Sequence, residues 1–259
     1  MDERLSCRVG PLTLKNPIML ASGTAGYGEE LKDFIDFHRL GGIVVKGTTL
    51  EPRSGNAPPR IFETPSGMLN AIGLQNQGVD ELIAKKLPWL QQFETSIWVN
   101  VCGSKAEDYA EVCRRVSASG KAHAIELNIS CPNIKEGGIE FGTRAESAHQ
   151  VTKLCVAAST LPVFVKLSPN TAHPLDIAQA VMEGGAAGLS MINTLVGMMV
   201  DVQKRIPRLS TVTGGLSGPA IKPVALAQIH KVYQVLKVPI AGMGGIETVD
   251  DVLAFALVG

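Results

Sequence analysis

Seven times along this 259-residue chain, a short apolar run leads into a loop rich in Gly, Asn, Ser or Pro and then into a stretch of helical character. The runs fall at 18–21, 43–46, 97–101, 125–129, 163–167, 189–192 and 238–241, and the helical stretches near 29–39, 79–92, 105–118, 145–158, 174–184, 222–236 and 248–257. The runs lack polar–apolar alternation, as expected of strands covered on both faces. Strand and helix in strict alternation predict parallel βαβ units. Ahead of them, residues 5–14 read as two short strands around Gly10-Pro11, a hairpin. The expected fold is a (β/α)8 TIM barrel with an N-terminal β-hairpin, one domain over 1–259. The sequence stops at Gly259 directly after the seventh helix, so the barrel is expected to be truncated before its eighth strand. Two long stretches, 47–78 and 193–221, are read as loops. A doubly wound open sheet is the alternative architecture.

Composition narrows the function classes. Hydrophobic residues make up 45% and charged ones 19%, which describes a globular chain with a large core rather than a disordered one. The formal net charge is zero and no basic run is present, so neither nucleic acid nor an anionic membrane is an expected partner. The most apolar stretch, 186–200, is interrupted by Ser190, Asn193 and Thr194, and no membrane span is expected. The start, Met1-Asp2-Glu3-Arg4, is too polar for a secretory signal. Cysteines stand at 7, 102, 113, 131 and 155, with no C-x-x-C pair. Neither an iron–sulfur cluster nor a structural zinc or other metal site is therefore expected, and an odd number of thiols fits a reducing cytoplasm.

In barrels of this kind, chemistry sits at the C-terminal ends of the strands. Polar residues gather there: Ser22 after the first run, Lys46-Gly47-Thr48 after the second, and Asn100 at the third. Asn128 to Asn133 follow the fourth, Lys166 the fifth, Asn193-Thr194 the sixth, and Gly242 to Gly245 the seventh. The loops Gly214-Gly215-Leu216-Ser217-Gly218 and Gly242–Gly245 are either tight turns or a phosphate cradle, where amides without side chains meet an anion at a helix start. No G-x-G-x-x-G fingerprint is present, so no Rossmann nicotinamide site is indicated. Cys131 is the thiol placed for chemistry, because Pro132 holds it on a turn at the mouth. Cys7, Cys113 and Cys155 are expected to be inert core residues and Cys102 structural. Lys166 also suits a Schiff-base nucleophile of an aldolase-type barrel. The histidines at 38, 123, 149, 173 and 230 fall in helices or outer loops.

With these segments in view, the sequence resembles dihydroorotate dehydrogenases of the soluble class 1 along essentially its whole length. The resemblance rests on Asn70-Ala71-Ile72-Gly73-Leu74-Gln75-Asn76, Glu126-Leu127-Asn128-Ile129-Ser130-Cys131-Pro132-Asn133 and Thr213-Gly214-Gly215-Leu216-Ser217-Gly218-Pro219-Ala220. Pro162 to Pro169 and Gly242 to Ile246 add to it. It implies oxidation of dihydroorotate to orotate with FMN as cofactor, in pyrimidine synthesis. It places Ser22, Lys46, Gly47, Asn100, Asn128, Lys166, Ile192, Gly218, Gly244 and Gly245 around the flavin. It places Lys46, Asn70, Ala71, Ile72, Gly73, Leu74, Asn128, Asn193 and Thr194 around the substrate, with Cys131 as base. Residues 131–138 and 196–201 are similar to the NAD-linked subtype, with the fumarate-using subtype as the alternative. That implies a partner subunit bearing FAD and an iron–sulfur cluster, and a homodimer at the core of a heterotetramer. The family's final strand, which adds amides to the FMN phosphate, has no counterpart before Gly259.

The residue types suit that reaction. Forming orotate takes a proton from C5, beside a carbonyl, and a hydride from C6. A thiol of pKa about 8.5 is partly ionised near neutrality, and its thiolate can take the proton. Lys46 and Lys166 are the cations available for the negative charge that develops. Asparagines at 70, 128, 133 and 193 donate and accept without titrating, and the Pro- and Gly-rich stretch 47–78 is a candidate lid. Other readings of the same residues are a flavin barrel for another dihydropyrimidine, a non-redox Schiff-base barrel using Lys166, and a non-catalytic subunit.

Overall fold

The computed structural model describes residues 3–130 and 141–259. Its main sheet has seven parallel strands: β1 (Met19–Leu20), β2 (Gly42–Thr48), β3 (Ser96–Val101), β4 (Ala124–Asn128), β5 (Val163–Lys166), β6 (Gly188–Met191) and β7 (Ile240–Gly242). Each strand pairs with its neighbours in sequence, so spatial order equals chain order. All seven coincide with the apolar runs. Among the described residues β1 and β7 form the two edges, and no eighth strand joins them.

Two apolar clusters explain why the runs carry no polar alternation. Ile43, Val45, Ile97, Val99, Ile125, Leu127, Val163, Val165 and Leu189 face outward and pack with Tyr109, Val112, Val151, Ile177, Val181, Ile229 and Phe255 of the surrounding helices. The intervening Val44, Trp98, Ala124 and Phe164 meet one another on the opposite, concave face. Trp98 and Phe164 stack there with ring centroids 4.4 Å apart. The hairpin Cys7–Val9 and Leu12–Leu14 closes this end, with Val9 and Leu12 on the same cluster. Both faces are thus apolar low in the sheet, and strict alternation has no surface to report.

The covering helices lie at Ala106–Ser119, Ala145–Ala157, Pro174–Glu183, Lys222–Leu236 and Val249–Val258. The helix expected over 79–92 forms as Gly78–Glu81, a π turn at Leu82–Lys86, and Leu87–Leu90. The helix expected over 29–39 does not form. Only the 3-10 turns Glu29–Leu31 and Phe37–Arg39 do, the second capped by Asp36. This segment is anchored by single aromatic contacts instead, Phe37 lying against Trp89 and Phe93.

The two long stretches read as loops contain strands that pair with each other. Leu195–Gly197, Gly214–Ser217, Gly67–Asn70 and Ile61–Thr64 make a four-stranded antiparallel sheet in that order. Leu69, Ala71 and Leu209 form its small core. The two connections leave from β2 and β6 at the C-terminal ends of the strands, so they stand over the same end of the main sheet. Glycine permits the close approach: a Cβ on Gly67 would lie 2.1 Å from the Ser217 carbonyl oxygen.

Candidate active site

Two residues further along each strand, the concave face changes character. Trp98 gives way to Asn100, Ala124 to Glu126, Phe164 to Lys166 and Gly188 to Ser190, and all four polar residues are buried. The Lys166 ammonium lies 3.7 Å from Glu126 Oε1 and donates to Ser22 Oγ at 3.3 Å. Ser22 follows β1, with three strands of the sheet between it and Lys166 on β5. That contact is possible only because the sheet curls strongly, bringing distant strand ends around one cavity. Burying either charge alone would cost several kcal/mol, so the two are held as a pair.

From Glu126 a chain of amides leads toward the mouth. Asn100 Nδ2 donates to Glu126 Oε1 at 2.6 Å, Asn128 Nδ2 to Asn100 Oδ1 at 3.5 Å, and Asn193 Nδ2 to Asn128 Oδ1 at 3.4 Å. Its direction is set by groups that cannot reverse. Glu126, paired with Lys166, accepts from Asn100, while the Ser130 and Thr194 backbone N–H groups donate to Asn128 Oδ1 at 3.2 Å and Asn193 Oδ1 at 2.9 Å. The end of β4 is pinned by Tyr109, whose hydroxyl donates to the Asn128 carbonyl at 3.0 Å. Ser130 Oγ ties it to β5 through the Lys166 carbonyl at 2.7 Å.

The strand-2 end joins this group through a bulge between Val45 and Thr48. A Cβ on Gly47 would stand 3.0 Å from Asn100 Oδ1, 3.1 Å from Cys102 Sγ and 3.4 Å from Leu74 Cδ2. Leu74 ends the segment 70–74, which runs from the covering sheet down to the pocket. Along it, Ala71 N–H donates to the Arg60 carbonyl, the Ile72 carbonyl accepts from Asn56, and Gly73 takes φ +76°. At the top, Asn70 Nδ2 donates to the Gly215 carbonyl at 3.4 Å, and Gly215 sits so close to Thr194 that a Cβ would meet Thr194 Oγ1 at 2.1 Å. Lys46 is half-buried and carries no ion pair among the described residues. Burial, and then the nearby Arg60 charge, hold its ammonium below the usual lysine range.

The two glycine loops meet. Gly218, Gly244 and Gly245 have φ of +96°, +118° and +77°, and a Cβ on Gly245 would lie 2.8 Å from the Gly218 carbonyl oxygen. The helix Lys222–Leu236 begins just beyond Gly218 and the helix Val249–Val258 just beyond Gly245. Ile192 is buried beside them, its N–H donating to the Met243 carbonyl at 3.2 Å. Backbone amides crowded where side chains do not fit, beside helix N-termini, suit a phosphate. A buried cation nearby suits the electron-rich edge of a flavin ring. The residues present therefore fit FMN.

Of the expected residues, Ser22, Gly47, Asn100, Asn128, Lys166 and Asn193 gather around Glu126, Leu74 reaches Gly47, and Asn70 and Thr194 both meet Gly215. Gly218 and Gly245 form the phosphate-like cradle beside them. Cys131, Pro132 and Asn133 lie outside the described residues. Cys113 and Cys155 are buried free thiols, and Cys113 is pushed well above the thiol range, chiefly by its hydrogen bond with Cys155 and by burial. Cys102 is less remote than expected, since its Sγ contacts Asn100 Oδ1 at 3.3 Å. Glu126 was not expected to have a role. Its signal in the sequence is a lone carboxylate inside an otherwise apolar strand run.

A family profile described as dihydroorotate dehydrogenase matches residues 4–259. A protein of Listeria welshimeri named dihydroorotate dehydrogenase B (NAD(+)), catalytic subunit, is 55% identical over 257 residues, covering 99% of this chain and 84% of its own length. One of the same name from Bacillus cereus is 54% identical, covering 99% of this chain and 83% of its own. Among solved structures, a dihydroorotate dehydrogenase of Eimeria tenella in complex with ferulenol superimposes with a TM-score of 0.83. It is 23% identical over 100% of this chain and 77% of its own, a likeness of fold.

Proposed function

The chain belongs to the dihydroorotate dehydrogenase family, and from that premise we propose that it is the FMN-bearing catalytic subunit of an NAD-linked enzyme oxidising dihydroorotate to orotate in pyrimidine synthesis. The observation that carries this reading is the buried Lys166–Glu126 pair with its ring of asparagines at the strand ends, above an apolar floor and beside a glycine cradle.

Ser22, Gly47, Asn100, Asn128, Lys166, Ile192, Gly218, Gly244 and Gly245 would hold the cofactor, which when bound supplies the hydride acceptor. The remaining work falls to the chain. Lys166 is buried and immobilised, so its charge acts on developing anions without solvent reorganisation. The Asn128 and Asn193 amides, fixed in direction, orient the pyrimidine carbonyls and carboxylate. Lys46 binds the carboxylate, regaining on contact with an anion what burial takes from its charged form. Ala71, Ile72, Gly73 and Leu74, with Asn70 and Thr194, close the ring side and exclude water. The thiolate of Cys131 takes the proton from C5.

The word "catalytic subunit" in the relatives' names supports a second, electron-transferring subunit for this chain too, and we assign it the FAD and iron–sulfur cluster, around a homodimeric core. No helix among the described residues is long and apolar enough to cross a membrane, and we place the protein in the cytoplasm.

The test is orotate formation from dihydroorotate by the purified FMN-loaded protein with a dye acceptor. Cys131→Ala should retain FMN and abolish orotate formation, and Cys131→Ser should work only at higher pH. Wild-type rates in Cys131→Ala would defeat the base assignment, and no orotate from the wild type would defeat the function.

A further inference from the structure

Glu126 stands out among the charged residues of the concave face. It is fully buried, and one of its oxygens, Oε2, has no hydrogen-bond partner among the described residues. The layer below is filled by Val44, Trp98, Ala124 and Phe164, so the barrel interior has no structural need for a carboxylate at this level. Exchanging a buried ion pair for apolar groups is commonly neutral or stabilising. A pair kept at that disadvantage, in the layer at the strand ends, has its use in what stands above it.

We propose that Glu126 is a positioning residue of the flavin site: the buried counter-charge that fixes the Lys166 ammonium at the pocket floor and limits how strongly the site favours reduced flavin. The inference rests on the FMN reading. Glu126 Oε1 serves both Asn100 Nδ2, at 2.6 Å, and Lys166 Nζ, at 3.7 Å. It therefore holds the cation and the first amide of the Asn100–Asn128–Asn193 chain in one geometry. Reduced flavin carries an additional negative charge. A bare ammonium would attract it fully, whereas an ammonium paired with a buried carboxylate attracts it less, because little solvent intervenes to screen either charge.

Glu126→Gln separates charge from shape, since the glutamine oxygen can still accept from Asn100. In the FMN-loaded protein, the variant should shift the reduced-to-oxidised ratio of bound flavin at a fixed potential at least tenfold toward reduced, a rise of about 30 mV for a two-electron couple. Its melting temperature should fall, and should recover when Lys166→Met is added, because the ammonium left without a counter-charge is then gone. An unchanged or lowered potential, with the melting temperature alone reduced, makes Glu126 merely structural and overturns the proposal. If Glu126→Gln does not fold, Glu126→Asp, which withdraws the charge by one methylene, should give a smaller shift of the same sign, and no shift overturns the proposal. A wild-type protein that retains no FMN defeats the flavin reading and, with it, the claim on the potential. The two failures are distinguishable, because an unchanged potential is read only on protein that holds flavin.

Discussion

The concave face of the curled sheet contains two layers separated by two residues of strand. The lower one holds Trp98, Ala124 and Phe164, and the upper one Asn100, Glu126 and Lys166. The same three strands supply both, with the same backbone pairing and the same burial. The lower layer removes about as much apolar surface from water as its volume permits and gains accordingly. The upper layer takes charges and amides out of water and only offsets the loss by pairing them. A fold stabilised at one end of its strands can carry such a polar arrangement at the other, which is why the chemistry of these barrels collects at strand ends.

That contrast can be broken by substitution. The largest effect belongs to the floor. Trp98→Ala, deleting a fully buried indole stacked on Phe164, should lower unfolding free energy by about 3–5 kcal/mol, read from urea melts. A loss below 1 kcal/mol would mean that the lower layer is not the stabilising one. Next comes the upper layer. The double variant Glu126→Gln with Lys166→Met should melt within a few degrees of the wild type, yet reduce its flavin roughly a hundredfold more slowly, the usual scale for losing one preorganised charge-stabilising group. A rapid half-reaction in that variant would remove Lys166 from the mechanism.

A smaller effect is expected at the cradle. Gly245→Ala puts a methyl group on a residue at φ +77°, 2.8 Å from the Gly218 carbonyl oxygen. FMN affinity should weaken by about tenfold, corresponding to roughly 1.4 kcal/mol of backbone strain. Equilibrium dialysis that shows no change would place the phosphate elsewhere. The smallest effect is one of pH. Lys46 binds the substrate carboxylate while protonated, and burial holds its pKa below the ordinary value. Orotate affinity should therefore be full at neutral pH and decline as pH rises through that lowered pKa, before an exposed lysine would lose its proton. Lys46→Arg should remove the decline. A flat profile for the wild type would take Lys46 out of carboxylate binding.

Much of this was legible in the sequence because strands covered on both faces announce themselves as apolar runs. All seven main strands were found this way, and the polar residues after them marked the mouth. The covering sheet was not legible. Its strands are three or four residues long, rich in glycine, and drawn from segments more than a hundred residues apart. The hairpin of 61–64 with 67–70 is local, but only the long-range pairing of Asn70 with Gly215 and Leu69 with Leu216 joins it to the second segment. The missing helix at 29–39 has a similar cause, since aromatic packing overrides local propensity there. Glu126 was visible as a letter but not as a partner, because its significance depends on Lys166, forty residues away, pointing into the same interior.

The central claim is that the polar layer at the strand ends is where a pyrimidine passes electrons to bound flavin. An anaerobic absorption spectrum of the FMN-loaded protein, taken before and after addition of dihydroorotate, tests it most directly. The account predicts a yellow protein whose visible flavin absorption bleaches on addition and returns with excess orotate. A colourless protein, or a yellow one that dihydroorotate leaves oxidised, would contradict it.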